Sequence, residues 1–186
     1  MHTNKLIDIL HLAERLKDTL RHCYSSGGRR ESVAEHCWRA ALMAYFMKDE
    51  FPNADMDKVI LMCLVHDLGE IFTGDIPCFD KTSAHEDAER AQITNWLTSL
   101  PTPYKDELLQ LFDEMEKLET TEAKIFKAID GMEAVLQHNE SDLSTWIPHE
   151  FDLNLVYATD KVGFSPYMTA LRKQLQDETS EKLANR

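Results

Sequence analysis

The chain has 186 residues, 43% of them hydrophobic and 28% charged, with a formal net charge of −13. That length suits one domain that can bury a full core without disulfide staples. The acidic balance argues against a nucleic-acid-binding surface, which needs a basic footprint, and with no run of eighteen apolar residues no membrane span is expected.

Apolar periodicity is helical along the whole chain, with no convincing two-residue alternation. A first helix is expected over about residues 3–20, with Leu6, Ile9, Leu10, Ala13, Leu16 and Leu20 on one face. Residues 21–31 break the pattern, and Ser25-Ser26-Gly27-Gly28 is turn composition, so this segment reads as a loop. The second helix starts at Ser32-Val33-Ala34-Glu35, a capping box in which each side chain satisfies an end amide, and stops before Pro52. A third, over about 55–72, carries His66 and Asp67 and breaks at Gly74 and Pro77. A fourth follows Ser83-Ala84-His85-Glu86, read as another capping box, and a fifth opens at Thr102-Pro103. A sixth, over about 120–139, carries Asp130. The stretch with Trp146, Pro148 and Gly163 is less regular, and a last helix starts near Ser165-Pro166. The expectation is an all-α bundle of about seven or eight helices, one domain over 1–186 with its core at about 5–175.

The four cysteines, Cys23, Cys37, Cys63 and Cys78, form no CxxC pair and fit no zinc module. They are expected to be free thiols in a reducing compartment. The N-terminus lacks the layout of a signal peptide, so a cytoplasmic location is expected. Five of the eight arginines, Arg15, Arg21, Arg29, Arg30 and Arg39, lie before residue 40. A local positive site on an acidic body is compatible with one small anion.

The most informative residues are ionisable groups in apolar settings. His66 and Asp67 follow the run Ile60-Leu61-Met62-Cys63-Leu64-Val65, and burying such groups is costly unless they are paired or hold a metal. By helical spacing, His36 shares a face with Ala40, Met43 and Met47, and Asp130 with Ala123, Phe126 and Ala134. Asp67 shares one with Ile60, Cys63, Leu64 and Ile71. Adjacent residues on a helix diverge by roughly 100°, so His66 and Asp67 reach one ion only above the seam between them. Taken singly, His36 reads as a core histidine bonded to a carbonyl, and Asp130 as the ion-pair partner of Lys127 or Lys124. Together, two histidines and two aspartates form an N₂O₂ set for a divalent metal. Mixed imidazole and carboxylate donors favour cobalt, manganese, iron, nickel or zinc over calcium and magnesium.

The order His36, His66-Asp67, Asp130 on helices resembles the HD-domain superfamily of metal-dependent phosphohydrolases. Glu31-Ser32-Val33-Ala34-Glu35-His36, Leu64-Val65-His66-Asp67-Leu68-Gly69-Glu70-Ile71, Gly74-Asp75-Ile76-Pro77 and Ala123-Lys124-Ile125-Phe126-Lys127-Ala128-Ile129-Asp130 are similar to the YfbR-like 5′-deoxynucleotidase subgroup. The resemblance implies that His36, His66, Asp67 and Asp130 hold one divalent metal, cobalt or manganese by preference, and that the chain is a homodimer. It implies that Glu70 and Asp75 are catalytic, and that Asp75, Ile76, Pro77 and Cys78 form a nucleotide-contacting turn. Read from spacing, Glu70 lies one turn after Asp67, within reach of a metal-bound water as general base, or else is a solvated helix end. Asp75 is otherwise a turn-former.

The segment from Arg21 to Glu31 is the expected phosphate and sugar site, with a solvated surface loop as its competitor. Arg21, Arg29 and Arg30 compete for the phosphate, because arginine makes bidentate contacts to its oxygens. Family members carry tryptophan near the arginine, where this chain offers Tyr24, which implies a weaker preference for deoxyribose. The expected activity is metal-dependent hydrolysis of (deoxy)nucleoside 5′-monophosphates. The alternatives are release of pyrophosphate or triphosphate, cyclic-nucleotide cleavage, or nucleotide binding without catalysis.

Overall fold

The computed structural model describes residues 1–185, and the architecture is all-α with one small hairpin. Among the described residues the α-helices are α1 (Thr3–Glu14), α2 (Val33–Phe46), α3 (Met56–Val65), α4 (Glu70–Thr73), α5 (Ser83–Thr98), α6 (Tyr104–Lys117), α7 (Thr121–Glu140), α8 (Pro148–Val156) and α9 (Pro166–Ala184). Strands β1 (Leu20–Tyr24) and β2 (Arg30–Ser32) pair antiparallel between α1 and α2. No helix among the described residues is long and apolar enough to cross a membrane.

Local chemistry explains most of the boundaries. Ser32 accepts from the amide of Glu35 while Glu35 accepts from the amide of Ser32, so α2 begins at the expected capping box. Ser165 caps α9, with Pro166 in its first turn. The box before α5 lies one residue earlier than expected: Thr82 is the cap and His85 its partner. That assigns His85 to a helix start. All four cysteines are free thiols.

Several expectations are corrected. The first helix, expected over about 3–20, ends at Glu14 and passes through a 3₁₀ turn at Arg15–Lys17, and Leu20 opens β1. The segment 21–31 is a hairpin rather than a loop: Ser25 N donates to Arg29 O at 2.7 Å, and Gly28 turns the chain at φ 81°. The expected helix over 55–72 stops at Val65, passes through a 3₁₀ turn at His66–Gly69, and resumes as the single turn α4. The less regular stretch before Ser165 contains α8. Leu64, expected to face inward with Asp67, is 52% exposed.

The main core joins Ala40 and Ala44 of α2, Val59 and Met62 of α3, Ile125, Ile129 and Met132 of α7, and Met168 of α9. α7 is buried on several sides, because α2, α3, α6, α9 and the hairpin all pack around it. A second cluster of Leu16, Val33, Cys37 and Ile71 ties the hairpin end of α2 to α4.

α7 keeps a glycine in its middle for a packing reason. A Cβ at Gly131 would lie 2.6 Å from the Cβ of Ala158, which itself holds a left-handed φ of 61°. Gly131→Ala is therefore expected to lower stability by about 1–3 kcal/mol through overpacking, although alanine is the better helix former. Adding Ala158→Gly, which removes the opposing methyl and suits the positive φ, should restore most of the loss. Urea denaturation of the two single variants and the double variant measures this. Additive losses would contradict it.

Candidate metal centre

His36 stands one turn into α2, His66 and Asp67 on the 3₁₀ turn after α3, and Asp130 midway along α7. Their polar atoms converge. His66 Nε2 lies 3.1 Å from Asp67 Oδ2 and 3.4 Å from Asp130 Oδ1. His36 Nε2 lies 3.2 Å from Asp130 Oδ1, 3.7 Å from Asp67 Oδ2 and 3.3 Å from His66 Nε2. The helix break makes the adjacent pair usable. At Val65 φ swings to −115°, and the tighter turn aims both side chains at one point.

Each imidazole is oriented from behind. His66 Nδ1 donates to the carbonyl of Cys63 at 2.9 Å. His36 Nδ1 donates to Glu133 Oε2. A carbonyl and an ionised carboxylate only accept, so the Nδ1 proton is fixed on both rings, and Nε2 is the nitrogen that each ring turns to the cluster and would offer to an ion. Metal-binding histidines are characteristically held in this way. Donor atoms about 2.0–2.2 Å from one ion lie roughly 3.0–3.5 Å from each other; His36, His66 and Asp67 come together at about this spacing, and Asp130 joins them through its contacts to the two histidines. The donor set therefore fits a divalent transition metal.

The electrostatics agree. Burial alone would lower His66 and raise Asp67. Instead Asp67, Cys37 and Asp130 hold the His66 imidazolium well above its usual range, and His66 and His36 keep Asp67 down at about 2. Asp130 is opposed by burial but held well below the carboxylate range, by Lys127 first, at 2.9 Å, and then by the two histidines. Burial, with Asp67 and Asp75 adding repulsion, pushes the Glu70 carboxyl up to about 10. Its Oε2 is buried without a hydrogen-bond partner among the described residues. Burial also raises Asp75.

These groups open into a cavity of about 800 Å³, within the usual size range of small-molecule sites. Arg21, His36, His66, Asp67, Glu70, Asp75, Ile76, Pro77, Cys78 and Asp130 all line it. Gly74, at φ 77°, ends α4 and turns the chain so that the Asp75–Cys78 segment runs along the wall. Of the candidate arginines only Arg21 reaches the cavity. Arg29 pairs with Glu35 at the surface, and Arg30 donates to the carbonyls of Arg21 and Leu20. Tyr24 is half-buried outside the cavity lining, its carbonyl accepting from Gln137 Nε2 at 2.6 Å. The argument from Tyr24 to sugar preference therefore loses its footing.

Several cavity residues went unnoticed in the sequence. His22 lines the wall beside Arg21, its ring edge-on to Phe79 at 5.7 Å and its Nε2 3.1 Å from Glu150. Neighbouring strand residues normally point to opposite faces, but the register slips between Leu20 and Tyr24, and such an irregularity re-aims side chains. Lys81 and Tyr157 also line the cavity. Behind the clustered histidines and aspartates, Glu133 and the partly buried Arg39 form an ion pair at 2.7 Å. Of these, Arg39 belongs to the N-terminal group of arginines, His22 follows Arg21 and Glu133 lies one turn after Asp130, while Lys81 and Tyr157 carried no sequence signal.

The HD domain family model matches residues 13–172, which take in the whole cluster. The human 5′-deoxynucleotidase HDDC2 is 37% identical over 142 residues, covering 73% of this chain and 67% of that protein. The 5′-deoxynucleotidase hdd1 of Schizosaccharomyces pombe is 30% identical over 159 residues, covering 76% and 79%. Among solved structures, one described as a predicted metal-dependent phosphohydrolase from Magnetospirillum magnetotacticum has a TM-score of 0.80 at 28% identity, over 96% of this chain and 92% of that one. A conserved hypothetical protein from Pyrococcus furiosus has a TM-score of 0.73 at 26% identity, over 92% and 99%. By family match, by identity to these relatives and by shared architecture, the chain belongs to the HD-domain family.

Proposed function

We propose that the protein is a divalent-metal-dependent phosphomonoesterase that hydrolyses (deoxy)nucleoside 5′-monophosphates to nucleoside and phosphate, with His36, His66, Asp67 and Asp130 as the metal ligands. The observation that carries this reading is the meeting of those four side chains with Glu70, Asp75 and Arg21 in one cavity. The relatives named 5′-deoxynucleotidase support the substrate class. Manganese and cobalt suit the donor set.

When bound, the cation lowers the pKa of a water and polarises a phosphoryl oxygen. Arg21 holds the phosphate through its guanidinium fork. Glu70 takes a proton from the attacking water. Its carboxyl is raised by burial and by the charges of Asp67 and Asp75, so neutralising Asp67 brings it toward the range of a working base. Asp75, also raised by burial, supplies the proton to the 5′-oxygen as the phosphorus–oxygen bond breaks. Ile76, Pro77 and Cys78 bound the nucleoside.

The supply of positive charge favours one phosphate over three. Of the other cations on the cavity wall, Lys81 pairs with Glu89, Arg90 with Glu116, and Lys127 with Asp130. That leaves Arg21 and the bound cation to meet the substrate's charge. The reading extends to a cytoplasmic, single-domain homodimer. Free thiols suit a reducing compartment, and the exposed side chains of Leu6, Leu10, Leu61, Leu64 and Tyr104 line one apolar groove that a second copy can cover.

Asp67→Ala is expected to lose both stoichiometric metal and phosphate release. Elemental analysis showing full metal retention would refute its place among the ligands. Glu70→Gln should retain metal but lose about 10²–10⁴-fold in kcat, the usual scale of a general acid–base group. An unchanged rate would return Glu70 to a structural part. With manganese or cobalt present, kcat/KM should be higher for dAMP than for dATP, and chelation should abolish both activities. Faster release from dATP would overturn the monophosphate assignment.

A further inference from the structure

Glu133 is fully buried, and three basic side chains meet its carboxylate. Oε2 accepts from His36 Nδ1 and from Arg21 Nη1 at 3.2 Å, while Oε1 accepts from Arg39 Nε at 2.7 Å. Arg39 is anchored in turn, through Nη2 to Gln137 and Nη1 to Glu140, both at 2.5 Å. Glu133 and Asp130 are three residues apart on α7, so one helix face carries both a metal ligand and the carboxylate behind another ligand.

A buried carboxylate is costly to desolvate, and a hydrophobic residue in its place is often neutral or stabilising for a fold. Its position points to a more specific part. The oxygen that receives the His36 proton also receives Arg21, the one candidate phosphate arginine that reaches the cavity. Arg21 has a second anchor on the same nitrogen, Glu31 Oε2 at 3.1 Å, which leaves the rest of the guanidinium for the cavity.

We infer that Glu133 is a positioning residue that couples the two halves of the site: one carboxylate oxygen fixes which nitrogen of His36 faces the metal position and where Arg21 points in the cavity. The inference rests on the metal-dependent reading above. Metal affinity and substrate capture then share one support. A residue that only stabilised the fold would change the fraction of folded protein without changing the properties of the molecules that fold.

The test uses the full chain with Glu133→Gln and Glu133→Asp, each checked for folding by circular dichroism and thermal melting. The amide of Glu133→Gln can present its NH₂ to His36 and unsettle the ring tautomer. The shorter acid of Glu133→Asp keeps the charge but withdraws the oxygens by one methylene. Manganese affinity, measured by competition with a chelator, is expected to weaken by about 10–100-fold in folded variants, the scale of lost support behind a ligand. At saturating manganese, KM for dAMP should rise more than kcat falls, because Arg21 is loosened while the ligands are filled. If Glu133→Gln does not fold, Glu133→Asp must show the same pattern. Wild-type manganese affinity and wild-type KM in a folded variant would overturn the inference while leaving the phosphatase reading intact. A wild-type chain that binds no manganese, or releases no phosphate from dAMP, would overturn both.

Discussion

Carboxylates outnumber permanent cations around one point in this molecule, and much of the structure answers that imbalance. Glu31, Asp67, Glu70, Asp75, Asp130 and Glu133 crowd the cavity and the layer behind it. Arg21 and Arg39 compensate Glu31 and Glu133, and Lys127 compensates Asp130. Asp67, Glu70 and Asp75 are left without a permanent cation. Protons fill the gap: the histidines are pulled toward the imidazolium form, and the carboxyls of Glu70 and Asp75 are pushed toward the neutral one. A divalent cation placed among the two imidazoles and two aspartates resolves the same repulsion with less disturbance. Any such binding free energy also stabilises the fold, since the unfolded chain has no assembled site.

α7 is where packing and chemistry meet. Ile125, Ile129 and Met132 sit in the main core, while Asp130, Glu133 and Gln137 form a polar stripe toward α2 and the hairpin. On α2, Ala40 and Ala44 are small and fully buried in that same core, and His36 and Arg39 reach across to the stripe. A shift of either helix would disturb the core contacts and the spacing of the clustered histidines and aspartates together. Gly131, tight against Ala158, brings the turn before α9 close to α7, and with it Tyr157, part of the cavity wall.

The sequence was legible where its signals were local or periodic. Ser32 and Glu35 announce the start of α2 because a capping box is complete within four residues. Helical spacing predicted inward positions for His36 and Asp130, which the structure brings together; for Asp67 the spacing assumed a continuous helix, and it is the 3₁₀ turn after Val65 that carries it to the same place with His66. The break at Val65 was not legible, because the apolar run before it contains no glycine or proline and local propensity favours a continuous helix. The hairpin was hidden because Leu20–Tyr24 shows no clean alternation and pairs through an irregular register. Its support is tertiary, including the bond from Gln137 to the Tyr24 carbonyl across 113 residues. Glu133 was invisible for the same reason. A glutamate on a helix reads as a solvated side chain until partners 94, 97 and 112 residues away surround it.

The hairpin separates the three arginines by what their surroundings leave free. Arg30 serves the hairpin, its guanidinium satisfying the carbonyls of Leu20 and Arg21. Arg29 pairs with Glu35, the glutamate that closes the capping box, so its charge is committed at the exposed start of α2. Arg21 is clamped on one nitrogen between Glu31 and Glu133 while the side chain borders the cavity. An arginine held in this way has already lost much of its rotamer freedom in the folded chain, so less remains to be lost when an anion arrives. Both of its anchors are acidic, which keeps the site from being strongly basic overall. Such a site suits one compact dianion beside a divalent cation better than a longer polyanion, and it reconciles a phosphate-binding centre with a chain of net charge −13.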